Sequence, residues 1–141
     1  MPDHCTDRTA MRLTLTPAAH AAIIAAAEVA APSEACGLLL GTETQIETAQ
    51  PAANVHPEPT RHFEIDPAAL IAAHKAARTG GPQVLGYFHS HPNGLARPSA
   101  TDAAMASGDG RIWAIAASGV VTLWRDTPSG FEALSYVRKE S

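Results

Sequence analysis

His89-Ser90-His91-Pro92-Asn93-Gly94-Leu95-Ala96-Arg97-Pro98-Ser99-Ala100-Thr101-Asp102 is the stretch on which the reading of this chain turns. It closes a strand that starts at Val84. In an extended strand, residues i and i+2 project from the same face. His89 and His91 therefore point the same way at the strand's carboxyl end, where two imidazoles can share one cation. Pro92 and Asn93-Gly94 stop the strand, so the pair is expected at an edge open to substrate. Asp102 lies one turn into the helix that Ser99 starts, from where its carboxylate can swing back to the same ion. Two His and one Asp leave a fourth tetrahedral position for water, the composition of a catalytic rather than a closed structural zinc site. Zinc lowers the pKa of such a water to about 7, and the reaction then needs a base and an oxyanion partner. Glu34 and Ser99 are the candidates for those two roles.

Taken singly, each signal has a plainer reading. A His-x-His pair is common on strands. Ser99-x-x-Asp102 is also a capping box for the helix it opens, and the two readings are compatible because a cap fixes the helix end that presents the carboxylate. Glu34 alone, before an apolar run, reads as a solvated strand end. Their order and spacing together carry the case.

Outward from this segment, Arg12 to Thr16 alternates as a half-buried strand does. Thr16-Pro17 is an N-cap and first-turn pair opening an alanine-rich helix to Ala31, which Pro32 stops. Glu34 to Gly41 reads as a buried strand, Gln45 to Ala49 as its neighbour, and Gln50 to His62, with its prolines, as a loop. Phe63 to Ile65 reads as a short strand. Asp66-Pro67 opens a helix running to about Arg78, ended by Gly80-Gly81. The third helix fades at Ser107-Gly108. Strands at Ile112–Ala116, Val120–Trp124 and Phe131–Val137 complete a single α/β domain: a mixed sheet flanked by about three helices, over residues 12–141, behind a disordered leader of residues 1–11.

The joint pattern resembles the JAMM (MPN-plus) metalloprotease family, whose signature is an upstream glutamate, His-Ser/Thr-His-Pro, a Ser separated from the second His by seven residues, and an Asp three positions after that Ser. Glu34-Ala35-Cys36-Gly37-Leu38-Leu39-Leu40-Gly41 and His89 through Asp102 fill every position. The resemblance spans about residues 12–137 and implies the cytidine-deaminase-like fold of that family. It implies that His89, His91 and Asp102 bind Zn2+, that Glu34 is the general base and acid, and that Ser99 supports the oxyanion. It also implies a peptidase or isopeptidase acting at the carboxyl tail of a ubiquitin-like or sulfur-carrier protein, since small bacterial members trim such carriers or release an attached amino acid. The 39 residues after Asp102 are used up by helix and strands. No late insertion of the kind that grips polyubiquitin fits there.

The 141 residues suit one core-bearing domain, at 45% hydrophobic residues. A net charge of −4 with no basic run argues against nucleic acid as a partner. The Ala18–Ala31 segment is too short and too alanine-rich to span a bilayer. Met1 to Ala10 lacks the apolar core of a signal peptide. Cys5 and Cys36 occupy dissimilar surroundings that do not suggest a disulfide, so a cytoplasmic protein is expected. A monomer and a homodimer are both compatible with the chain.

Cys36 shares strand parity with Glu34 but reads as a small buried hydrophobe. His56 and His62 read as surface residues, His74 as a packed or rim residue, and Trp113 and Trp124 as core anchors. Ser90 is expected on the opposite face of the strand from the histidines, with a contact either to the groups that support the ligands or to backbone. Two competing readings are a non-catalytic MPN scaffold and a RadC-like DNA-associated protein. The scaffold is disfavoured by the complete ligand set. The RadC-like reading is disfavoured by the acidic balance and by Ser90 between the histidines. A zinc deaminase lacks its Pro-Cys-x-x-Cys.

Overall fold

The structure, a computed structural model, describes residues 13–138; the expected leader, Cys5, and residues 12 and 139–141 of the expected domain lie outside them. In chain order the elements are β1 (Thr14–Leu15), α1 (Pro17–Ala30), β2 (Cys36–Thr42), β3 (Gln45–Ala52), α2 (Pro67–Arg78), β4 (Gln83–Ser90), α3 (Ala100–Met105), β5 (Ile112–Ala117), β6 (Val120–Thr127), β7 (Gly130–Leu134) and β8 (Val137–Arg138). The strands form one eight-stranded mixed sheet in the order β7-β6-β5-β4-β2-β3-β1-β8.

Local chemistry explains the helix starts. The Thr16 hydroxyl accepts from the Ala19 N–H at 3.1 Å and donates to the Glu47 carbonyl at 2.8 Å, so one side chain both caps α1 and ties it to β3. Asp66 caps α2 by accepting from the Ala68 N–H. Alternation along the central strands sorts side chains into two cores. Leu39, Phe88 and Ala114 pack with Ala19 and Ile23 of α1 on one face. Cys36, Leu38 and Trp113 pack with Phe63, Ile65 and the α2 residues Ala69 and Leu70 on the other. Gly37 is required where the layers meet, because a Cβ there would run into the Gln50 carbonyl and the Phe88 ring.

The two outermost strands, β7 and β8, are separated in sequence by Ser135 and Tyr136 alone. So short a link spans about 10 Å at most, and the sheet therefore curls until its two ends approach each other. Helix α1 lies in the concave side, where the Tyr136 hydroxyl donates to the Val121 carbonyl at 2.6 Å.

Four expectations change. The ligand-bearing end of β4 is not at a sheet edge: β4 is a central strand, antiparallel to β2 and parallel to β5. The Ser90 and His91 N–H groups continue the ladder to the Ala35 and Ala116 carbonyls. Openness comes instead from the strand's carboxyl end. Phe63–Ile65 is not a strand but a single bridge, Ile65 to Asn54, because the Asn54 side chain takes the Glu64 N–H that a neighbouring strand would take. Phe131–Val137 divides into β7 and β8, the latter pairing parallel with β1. β3 extends to Ala52 and tolerates Pro51 because β1 pairs only with Gln45 and Ile46 on its outer side.

Helix α3 stops after six residues because the chain beyond it is captured elsewhere. The buried carboxylate of Asp126 accepts from the Ser107 N–H and the Gly108 N–H, both at 3.0 Å. This clamp sets where the helix carrying Asp102 ends. Asp126→Ala leaves two backbone donors without a partner, and about 2 kcal/mol of stability is expected to be lost. Denaturant unfolding of wild type and variant measures that loss, and an unchanged midpoint would refute the clamp.

Candidate active site

The carboxyl end of β4 brings together the three side chains that the sequence pattern groups. His89 Nε2 and His91 Nε2 lie 3.0 Å apart. Asp102 approaches His89 Nε2 with Oδ1 at 3.0 Å and His91 Nε2 with Oδ2 at 3.1 Å. Ligands about 2.0–2.1 Å from a tetrahedral zinc are about 3.3 Å from one another. The observed triangle is close to that spacing, and its two imidazoles and one carboxylate form a borderline donor set that suits the ion. All three side chains are buried.

Each ligand candidate is held from behind. The Leu95 carbonyl can only accept, so the 2.7 Å contact with His91 Nδ1 puts the proton on Nδ1 and leaves the Nε2 lone pair facing the triangle. His89 is gripped by rings: Phe63 stacks on it with centroids 4.3 Å apart, and Trp113 meets it edge-on at 5.6 Å. Its Nδ1 is buried without a hydrogen-bond partner. Asp102 sits in the capping box foreseen from the sequence. The Ser99 N–H donates to Asp102 Oδ2 at 2.9 Å, and the Asp102 N–H donates to Ser99 Oγ at 3.0 Å. Since the Ser99 oxygen accepts that bond, its hydroxyl proton is free to point into the cavity that Ser99, His91 and Glu34 line together, of about 440 Å³.

Glu34 precedes β2 and is only 7% exposed. Its N–H donates to the Pro59 carbonyl at 2.7 Å, and its carbonyl accepts from Asn54 Nδ2 at 3.0 Å. The next residue is tied to the ligand strand by a reciprocal pair: Ala35 N–H to Ser90 Oγ at 2.8 Å, and Ser90 N–H to the Ala35 carbonyl at 3.1 Å. Ser90 thus faces away from the histidines, and of the two contacts open to it the structure has the one to backbone.

The protonation states follow from burial and neighbours. Burial pushes the Glu34 carboxyl up to about 7; His91 opposes this and Asp102 adds to it. Burial holds His89 below the usual imidazole range, against the pull of Asp102. Burial also works against protonating His91, but Asp102, the Leu95 carbonyl and Glu34 outweigh it and the net shift is upward. Asp102 is held well below the usual carboxylate range, its burial overcome by the two histidines beside it and by the Ser99 N–H.

Other residues singled out earlier take no place in the triangle. Cys36 is a buried free thiol, pushed up to about 12 by burial and by Glu34, which suits a core residue and not a nucleophile. His56 and His62 stack on each other at 4.6 Å, with Glu58 3.4 Å from His62, away from the ligand set. His74 is half-buried on α2, Trp113 is buried in the core and Trp124 is half-buried. Asn54 was not anticipated. Its amide bonds the carbonyls of Glu34 and His62 and its oxygen accepts from the N–H groups of His56 and Glu64. The available signal was an Asn able to close a turn on its own i+2 backbone, set among prolines.

Comparison with known proteins agrees with this geometry. Residues 16–127 match the family described as prokaryotic homologs of the JAB domain. The desampylase of Haloferax volcanii is 34% identical over 134 residues, covering 90% of this chain and 96% of its own. A probable TtuB-protein conjugate cleaving protease of Thermus thermophilus is 43% identical over 72 residues, covering 51% of this chain and 48% of its own. A JAB1/MPN domain protein of Archaeoglobus fulgidus superposes with a TM-score of 0.63 at 20% identity, over 90% of this chain and all of that one, and shows the shared fold.

The raised Glu34 value has a consequence for stability. Between its ordinary value of 4.5 and about 7, the folded metal-free protein binds more protons at Glu34 than the unfolded chain does. The fold therefore loses stability as pH rises through that window. Glu34→Gln removes the charge and should raise the melting temperature of chelator-treated protein at pH 8 but not at pH 4. Equal effects at both pH values would contradict the assignment.

Proposed function

The chain belongs to the prokaryotic homologs of the JAB domain, and from that membership we propose that it is a zinc-dependent metallopeptidase cutting peptide or isopeptide bonds at the carboxyl tail of a ubiquitin-like or sulfur-carrier protein. The observation that carries the reading is the convergence of His89, His91 and Asp102 within 3.0–3.1 Å, with His91 on the wall of a cavity that Glu34 and Ser99 also line. When bound by these three residues, zinc supplies a Lewis acid that polarises the scissile carbonyl and acidifies water.

The remaining work falls to the protein. A carboxyl group near 7 is poised to accept a proton from water and to give one up within the same cycle. Glu34 therefore takes the water's proton and delivers it to the departing amine. Ser99, its oxygen engaged by the Asp102 N–H, presents its proton to the oxygen on which negative charge develops. One such donor contributes about 2.7–4 kcal/mol in other hydrolases. The tail enters at the carboxyl end of β4 rather than along a sheet edge, and small residues such as glycine bring the least side-chain bulk to obstruct it.

The relatives point to the substrate class, since one is a desampylase and another is described as cleaving protein conjugates. A cytoplasmic setting is part of the reading, because a free thiol such as Cys36 is kept reduced there. Among the described residues no helix is long and apolar enough to cross a membrane.

Glu34→Gln should retain one zinc per chain by elemental analysis and lose about 10²–10⁴ in kcat on a ubiquitin-like conjugate. His89→Ala should lose the metal. Full turnover in Glu34→Gln would overturn the base assignment, and stoichiometric zinc in His89→Ala would overturn the ligand set.

A further inference from the structure

The cavity that Glu34 and Ser99 line also takes in the exposed Arg61 and Arg97; among the described residues Glu34 is the one acidic group on its wall, with Asp102 behind His91. The two arginines come from different loops, and each loop is bonded to a residue of the site. Arg61 sits in a turn whose Arg61 and His62 N–H groups both donate to the Glu58 carbonyl. The Pro59 carbonyl of that turn receives the Glu34 N–H at 2.7 Å, and Asn54 bonds the carbonyls of both Glu34 and His62. Arg97 donates its N–H to the Leu95 carbonyl at 2.8 Å, the same oxygen that receives His91 Nδ1. The preceding carbonyl, Ala96, receives the Thr122 hydroxyl at 2.7 Å. The backbone under each guanidinium is thus positioned by the base on one side and a ligand candidate on the other. Among the described residues neither arginine has an ion-pair partner.

Two guanidinium groups on one cavity wall, in a chain of net charge −4, suit an anion. The chemistry of the reaction says where on the substrate it is. On the acyl side, the tail has no free carboxylate until the bond is cut. On the leaving side, an amino acid joined through its α-amine carries a carboxylate one carbon from the departing nitrogen. A lysine joined through its side chain carries none there, since four methylenes and a further peptide bond intervene. Guanidinium groups match a carboxylate with paired N–H donors.

We propose that Arg61 and Arg97 form a subsite for the α-carboxylate of the leaving group, so that this chain favours release of a C-terminal amino acid from a carrier tail over cleavage of a lysine-linked conjugate. The inference rests on the metallopeptidase reading of the same site. Water adds to the tail's carbonyl carbon, the C–N bond breaks, and the nitrogen leaves with the transferred proton. The tail ends in a carboxylate and the amino acid departs with its own carboxylate against the arginines.

The test uses zinc-loaded full chain and three synthetic tails of one sequence ending in Gly-Gly: extended by alanine as the free acid, extended by alaninamide, and joined to the side chain of a capped lysine. The free acid should be cut with kcat/KM about tenfold to a hundredfold above the amide and the isopeptide. In Arg61→Gln/Arg97→Gln that ratio should collapse towards one. Calorimetric titration of Glu34→Gln with the acid and the amide should show the same preference without turnover. Acid and amide within twofold of each other, or an equal loss on all three tails in the double variant, would overturn the subsite; the latter would instead mark docking of an acidic surface on the carrier. If no tail is cut, the peptidase reading fails, and the calorimetric ratio still decides the carboxylate subsite.

Discussion

The structure depends on placing two imidazoles and a carboxylate, all buried, within hydrogen-bonding distance of one another at the end of a central strand. Such groups are costly to remove from water unless they are paired or bind a metal. Much of the surrounding fold can be understood as meeting that cost. The Leu95 carbonyl satisfies the His91 nitrogen turned away from the triangle, and the Ser99 N–H bonds Asp102 Oδ2 at its corner. Phe63 and Trp113 hold the His89 ring by contact alone. His89 Nδ1 stays buried without a partner, and the two Nε2 atoms and the carboxylate point inward, at close to the spacing a tetrahedral cation would set.

A second constraint is the register between the base and the triangle. It rests on Ser90, whose backbone and side chain each bond Ala35 and thereby carry the position of β4 into the segment holding Glu34. Asn54 grips the same segment from the other side and joins it to the turn that bears Arg61. Base, ligand strand and cavity wall are therefore one hydrogen-bonded unit. A shift in any of them would move the carboxyl of Glu34 relative to the histidines.

Local signals were legible where the chemistry is local. Thr16-Pro17, Asp66-Pro67 and the Ser99–Asp102 box involve neighbours in sequence and were found where the structure has them. The alternation of His89, Ser90 and His91 told which face each side chain takes. What could not be read depends on distant partners. The central place of β4 is set by pairings with β2 and β5, so a Pro-Asn-Gly stop after the strand looked like a sheet edge. Asn54 replaces a strand by bonding Glu64, and Asp126 ends α3 from across the domain; no pattern of neighbouring residues announces either. The functional weight of Glu34 is likewise invisible in its own surroundings and comes from the family resemblance.

X-ray absorption at the zinc edge of the stoichiometrically loaded protein tests the central claim most directly. The account predicts a first shell of nitrogen and oxygen only, with the outer scattering of two imidazoles, matching His89, His91 and Asp102. A sulfur shell, which Cys36 would supply, or the signature of more or fewer than two imidazoles would contradict it.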